Sequence, residues 1–312
     1  MTTSRKTGYT SRDLTGSICP TNPMEYFKDA QGNPLTPPSG TSQFDKITAL
    51  WMAHCSSLAY KDKATVATEL MNAGFASVQF FDTAETQGFL ATYQNDRFAV
   101  LAFRGTERNF ADIFTDIDIL EKRLPEEDFT AHAGFLRGLR RVWGTAIGFT
   151  PVGGFTVEWV GAEGVSNALE SLPAGLPAYF TGHSLGAALA TLAAYKALRL
   201  KRRPTALYTF GSPRVAAKEL ASVSNKQLQG RLHRIVNYRD VVPRVPLPFR
   251  FRHVEQLVYF KRNKQRGNRP IKDVLVLILA LCDLFLHFIL RSRYTPRAFT
   301  NHRISEYIDR LS

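Results

Sequence analysis

The sequence predicts an α/β fold built on a mainly parallel, doubly wound sheet flanked by helices. Three observations carry that expectation. Short apolar runs alternate with helical periodicities along most of the chain, the arrangement that puts strands side by side with helices packed on both faces. One such pair, "AYF" (178–180) followed by "TGHSLGAALATLAAYKAL" (181–198), joins strand to alanine-rich helix through a glycine-flanked bend. Finally, 44% apolar and 12% aromatic residues over 312 positions are enough for one large domain with a real core.

Taken in order, residues 1–42 are rich in Thr, Ser, Pro, Gly and Asn and read as an irregular arm, with the folded unit spanning 43–312. "DKITALWMAHCSSLAY" (45–60) has apolar residues at helical spacing. "GFLATYQNDRFAVLAFRG" (88–105) reads as two strands joined by a turn at Asn95-Asp96. Helices are expected from Gly134 to about Ile147 and around 163–172. The central unit is a strand at 177–181, a bend, a helix at 185–200 and a strand at 205–210. "LHRIVNY" (232–238) and "HVEQLVYF" (253–260) supply two further strands, and an amphipathic helix closes the chain after His302. There is no internal repeat and no GxGxxG.

Charge and cysteine content narrow the function classes. Of the net +13, residues 1–150 contribute −2 (15 Lys+Arg against 17 Asp+Glu) and residues 151–312 contribute +15 (25 against 10). A basic half attracts nucleic acid and anionic lipid alike. No helix-turn-helix, zinc or RNA-binding motif accompanies it, which argues against nucleic acid. Cys19, Cys55 and Cys282 lie far apart without a CxxC pattern, against a disulfide framework or zinc site. No cofactor or metal is called for. The first thirty residues show no apolar signal region, so the expected location is cytoplasmic or peripheral to a membrane, with non-classical secretion as the other route.

The bend is where chemistry concentrates. Gly182-His183-Ser184-Leu185-Gly186 has the form G-x-S-x-G, between a strand and a helix. Such a turn forces the serine into strained backbone geometry, and a Cβ two positions away on either side would clash. It offers an exposed hydroxyl at a helix N-terminus, where the dipole favours developing negative charge. A serine hydroxyl is a weak nucleophile and needs a base, itself oriented by a carboxylate. With the chain order Ser, acid, His, the downstream carboxylates are Glu219, Asp240, Glu255, Asp273, Asp283, Glu306 and Asp309. Asp240 follows a strand end and opens "DVVPRVP" at the edge where open α/β sheets place their ligands. Among the histidines, His233 precedes Asp240, His253 starts a strand and His287 sits in an apolar stretch. His302, in a loop before the final helix, can reach across the sheet edge. The expected triad is Ser184, Asp240 and His302.

Six segments, "LAFRGT" (101–106), "HAGFLRG" (132–138), "TGHSLGAALATLAA" (181–194), "TFGSPRV" (209–215), "NYRDVVPRVP" (237–246) and "NHRISEYI" (301–308), resemble in order the signature blocks of the class 3 lipases, which include fungal triacylglycerol lipases and bacterial relatives. The resemblance runs from about 45 to 310. It implies an α/β-hydrolase fold and cleavage of carboxylic esters of lipids, with phospholipase A1 activity on anionic phospholipids as the alternative substrate class. An inactive membrane-binding module is the alternative from another class. It also implies an oxyanion hole from the backbone N–H of Leu185 and the backbone N–H and hydroxyl of Thr106, the hydroxyl held by Asp112 or Asp116. In the family the segment after Thr106 is a lid, and here Phe110, Ile113 and Phe114 fall at i, i+3 and i+4 on a short polar helix.

One stretch lies outside the family pattern. "VLVLILALCDLFLHFIL" (274–290) is the core of an expected apolar helical insertion at about 273–291. It falls short of the about 20 apolar residues of a membrane span, and a mid-helix aspartate such as Asp283 costs about 2.5–3.5 kcal/mol there. A span would also strand His302 across the bilayer from Ser184. Asp283, His287 and Arg291 form one polar stripe, and Lys261, Arg262, Lys264, Arg266, Arg269 and Lys272 precede it. The favoured reading is an anchor, over about 261–291, on a membrane or lipid-droplet surface. A wall of the acyl pocket and a dimer contact are the other two readings, and the oligomeric state is open.

Overall fold

The computed structural model describes residues 25–83, 86–105, 121–123, 130–144, 164–246, 251–254, 256–263, 265–267 and 300–312. Among them, helices are α1 (Lys46–Leu58), α2 (Lys63–Asn72), α3 (Ala133–Trp143), α4 (Val165–Ser171), α5 (Leu185–Arg199), α6 (Lys218–Gln227) and α7 (Ile304–Leu311). Strands are β1 (Phe75–Asp82), β2 (Gln87–Tyr93), β3 (Ala99–Phe103), β4 (Glu121–Arg123), β5 (Thr130–His132), β6 (Ala178–His183), β7 (Ala206–Phe210), β8 (Ala216–Ala217), β9 (Leu232–Asn237), β10 (Phe251–Arg252), β11 (Gln256–Phe260) and β12 (Arg266–Gly267).

The main sheet runs β1-β2-β3-β6-β7-β9-β11-β12. Its centre, β3 through β11, is parallel, while β1, β2 and β12 join antiparallel at the edges. A second, small antiparallel sheet has the order β10-β8-β5-β4. Central strands are buried on both faces: every residue of β3 and β7 is buried, and β3 reads as an unbroken apolar run for that reason. One face is covered by α3 and α5. Alanines 187, 188, 190, 193, 194 and 197 of α5 are fully or almost fully buried, and their small side chains bring the helix axis close to β6 and β7. The other face is covered by α1 and α7. α1 is capped by Asp45, whose carboxylate accepts from Thr48 N–H (2.7 Å) and Oγ1 (2.6 Å). It is buried from Thr48 to Leu58, lying between the sheet and α7. α7 turns Ile304, Tyr307, Ile308 and Leu311 inward, a spacing of i, i+3, i+4 and i+7.

Two boundaries differ from the expectation for physical reasons. α3 stops at Trp143 because Gly144 adopts a left-handed conformation (φ 86°) and its backbone abuts Gly164; positions 145–147 lie outside the described residues. His253 precedes its strand rather than starting it, its Nε2 donating to the Pro243 carbonyl at 2.8 Å. Part of the N-terminal arm packs along the domain: Tyr26 and Phe27 are buried, and Trp51 Nε1 donates to the Thr36 carbonyl at 2.9 Å. The apolar stretch 274–290, with Asp283 and His287, lies outside the described residues. Among those described, no helix is long and apolar enough to cross a membrane.

His54 is the odd residue of this core. It is 2% exposed on α1, its ring against Tyr26 and Phe27 with centroids 5.9 and 5.5 Å away, and neither ring nitrogen has a hydrogen-bond partner among the described residues. Burial pulls its pKa from 6.5 down to about 4. The neutral ring is the one the fold accepts. As pH falls through 6.5 the unfolded chain takes a proton that the folded chain refuses until about 4, so stability is lost across that window, about 3 kcal/mol in all. We expect His54→Leu to lose less melting temperature than the wild type between pH 7 and pH 4.5. Parallel pH profiles for the two proteins would contradict this.

Candidate active site

The site forms where β6, β9 and the loop before α7 meet at the carboxyl ends of the parallel strands. Ser184 sits between β6 and α5 with φ 58° and ψ −125°, strained for a residue with a Cβ. The flanking glycines are required by close approach. A Cβ on Gly182 would overlap the backbone of Gly186, and one on Gly186 would overlap the Phe103 carbonyl at the end of β3. Ser184 N–H donates to the Phe210 carbonyl (3.0 Å), which ties the bend to β7. The Ser184 carbonyl accepts from Ala187 N–H, also at 3.0 Å, as the helix begins. Leu185 is the first residue of α5, where backbone N–H groups have no partner within the helix. The sequence led us to expect an exposed serine; Ser184 is instead 2% exposed, enclosed with its neighbours.

Asp240 and His302, 62 positions apart, are both fully buried and in contact: His302 Nδ1 lies 2.8 and 2.9 Å from the two carboxylate oxygens. Because a carboxylate only accepts, this pairing puts the proton of the neutral ring on Nδ1 and leaves Nε2 as the basic nitrogen. The carboxylate is fixed twice more. Val242 N–H donates to Oδ1 at 2.9 Å, and the Tyr307 hydroxyl donates to Oδ2. Burial, and then the Asp240 charge, hold the Tyr307 phenol well above its ordinary pKa, so it stays a donor. Asn237, at the end of β9, accounts for the loop: its Nδ2 donates to the Asn301 carbonyl at 2.9 Å, and its N–H donates to Tyr307 Oη at 3.2 Å. Gly211, after β7, has φ 61° and passes so near the pair that a Cβ there would lie 2.8 Å from Asp240 Oδ2 and His302 Nδ1.

The bend is joined to this pair through His183. Its ring lies tilted against that of His302 with centroids 4.5 Å apart and planes at 35°, and its Nε2 lies 2.5 Å from the His302 carbonyl. Thus the structure brings Asp240 and His302 into direct contact and sets His302 against the residue preceding Ser184. Thr106, Phe110, Asp112, Ile113, Phe114 and Asp116 lie outside the described residues. Tyr60, His183, Gly211, Asn237 and Tyr307 were not singled out from the sequence. His183, Gly211, Asn237 and Tyr307 each lie within one of the six quoted segments, whereas Tyr60 does not.

A strained serine between strand and helix, with a buried Asp–His pair at neighbouring carboxyl ends of a parallel sheet, defines the class: this is an α/β-hydrolase. Residues 100–249 match the lipase (class 3) family. It is 38% identical over 104 residues to secreted mono- and diacylglycerol lipase 1 of Fusarium solani, covering 33% of this chain and 29% of that protein. It is 32% identical over 178 residues to secreted mono- and diacylglycerol lipase A of Penicillium cyclopium, covering 55% and 51%. The matches therefore span about half or less of these relatives. The crystal structure of the lipase from Rhizopus microsporus var. chinensis superposes with a TM-score of 0.52 at 23% identity, over 80% of this chain and 84% of that one, and shares the fold. Both sequence relatives are named as secreted, which overturns the expectation of a cytoplasmic or peripheral-membrane location. That expectation rested on the missing apolar signal region in the first thirty residues and on the basic and apolar run at about 261–291.

Proposed function

We propose that this protein is a serine lipase that cleaves fatty-acid esters of acylglycerols, with residues 43–312 as the catalytic unit and 1–42 as an arm along it. The observation that carries the reading is the fully buried Asp240–His302 contact beside the strained Ser184. Ser184 Oγ attacks the ester carbonyl while His302 Nε2 takes its proton; the same proton then goes to the departing glycerol oxygen. Water repeats the sequence on the acyl-enzyme, releasing the fatty acid and restoring Ser184. The developing oxyanion is received by the N–H of Leu185 and by Thr106. Gly105, one residue earlier, lies so close to the His183 carbonyl that a Cβ would come within 2.7 Å of it, which supports a second donor from this strand end. Asp112 or Asp116 holds the Thr106 hydroxyl, and Phe110 and Phe114 belong to a lid. Engagement of a lipid surface through about 261–291 belongs to the same reading, as does secretion, in keeping with the named relatives.

The names of those relatives favour partial acylglycerols over phospholipids, so phospholipase A1 activity is the weaker second reading. Rates on emulsified mono-, di- and triacylglycerol, beside phosphatidylglycerol vesicles, test the choice. We expect hydrolysis of the acylglycerols to exceed that of phosphatidylglycerol. The reverse order would move the protein to the phospholipases. No reaction with any ester or with a fluorophosphonate would leave the inactive membrane-binding module.

A further inference from the structure

The residue before the serine in the bend, His183, has no role in the reaction just described, yet it is fully buried and bonded at both ring nitrogens. Nε2 faces the His302 carbonyl, which can only accept, so Nε2 carries the proton. Nδ1 must then accept, and the Tyr60 hydroxyl, 2.9 Å away, is its donor. Tyr60 thereby selects the tautomer that can hold His302. Burial, and next the nearby His302, keep His183 well below the ordinary imidazole range, so the neighbouring ring is neutral and does not repel an imidazolium formed on His302. The bridge spans three parts of the chain. Tyr60 follows α1, His183 ends β6, and His302 lies in the loop before α7.

We propose that Tyr60 and His183 are positioning residues that fix the backbone of His302, and so the reach of its ring between Asp240 and Ser184. This rests on the reading of His302 as the catalytic base. Small displacements of a base cost rate rather than substrate affinity, because they are felt at the proton transfer. They also weaken the Asp240–imidazolium pairing, which moves the acid limb of the rate profile to lower pH.

The test is hydrolysis of p-nitrophenyl butyrate, a soluble ester, by His183→Leu, His183→Gln and Tyr60→Phe, with rates normalised to active sites titrated by a fluorophosphonate. Glutamine can donate to the His302 carbonyl through its amide nitrogen and accept from Tyr60 through its oxygen. We expect His183→Leu to lower kcat about 30–100-fold with KM within about twofold, and Tyr60→Phe to lower it about 5–10-fold, both with the acid limb of kcat/KM shifted to lower pH. His183→Gln should recover at least about tenfold over leucine. Wild-type kcat per titrated site and an unmoved acid limb in the leucine and phenylalanine variants would overturn the proposal, as would failure of glutamine to recover. If the leucine variant does not fold, Tyr60→Phe alone decides, because it keeps the ring packing and deletes one donor. Ser184→Ala is run alongside: activity surviving in that variant would bring down the serine-lipase reading itself, a separate failure.

Discussion

Ser184→Ala is expected to lower kcat on a soluble ester by on the order of 10⁵–10⁶-fold, leaving only the slow hydrolysis that binding and the oxyanion donors still promote. The substitution removes one oxygen and keeps the Cβ, so the strain at φ 58° and the tie from Ser184 N–H to the Phe210 carbonyl survive. The melting temperature should therefore stay close to that of the wild type, which separates loss of the nucleophile from loss of the fold. Initial rates with p-nitrophenyl butyrate, beside a thermal melt, check both halves. A variant within tenfold of the wild type would mean that Ser184 is an ordinary helix-capping serine.

The second large effect is expected from Asp240→Asn, on the order of 10⁴ in kcat. Asparagine fills the same volume, and its single oxygen can still accept from Val242 N–H or from the Tyr307 hydroxyl, which reach different carboxylate oxygens. What it lacks is the charge. An amide nitrogen facing His302 Nδ1 favours the tautomer with its proton on Nε2, the nitrogen that must receive the proton of Ser184. The imidazolium also loses the only carboxylate with which it is paired among the described residues. With Asp240 neutral, the Tyr307 phenol loses the second of the causes that hold its pKa up, while burial continues to raise it. Rates across pH 5–9, with KM measured at each point, check the prediction. A loss confined to KM would show that Asp240 serves binding rather than the base.

Much of this was legible in the sequence where one physical demand dominates a stretch. The β6–Ser184–α5–β7 unit is readable because strands buried on both faces are mostly apolar, and because two glycines are needed where backbones touch. Asp240 and His302 followed from chain order and from their places next to a strand end and a final amphipathic helix. The edge of the fold was not readable in the same way. β1 mixes exposed and half-buried positions without strict alternation, α6 buries only Leu220, Ala221 and Ser224, and the small sheet is made of two- and three-residue strands that carry no period. The contacts that organise the site were invisible for another reason. Tyr60 meets His183 across 123 positions, and Tyr307 meets Asp240 across 67, pairings that only the folded chain creates. The serine's burial was likewise misjudged, since burial depends on how the whole fold packs and not on the bend alone.

The claim at the centre of this account is that Ser184 is a nucleophile activated by His302. It is tested most directly by treating the native protein with diethyl p-nitrophenyl phosphate, weighing the intact chain and mapping the modified peptide. The account predicts a single diethylphosphoryl group on Ser184, formed rapidly in the wild type and slowed by orders of magnitude in His302→Ala. An unmodified protein, or a label on a different residue, would contradict it.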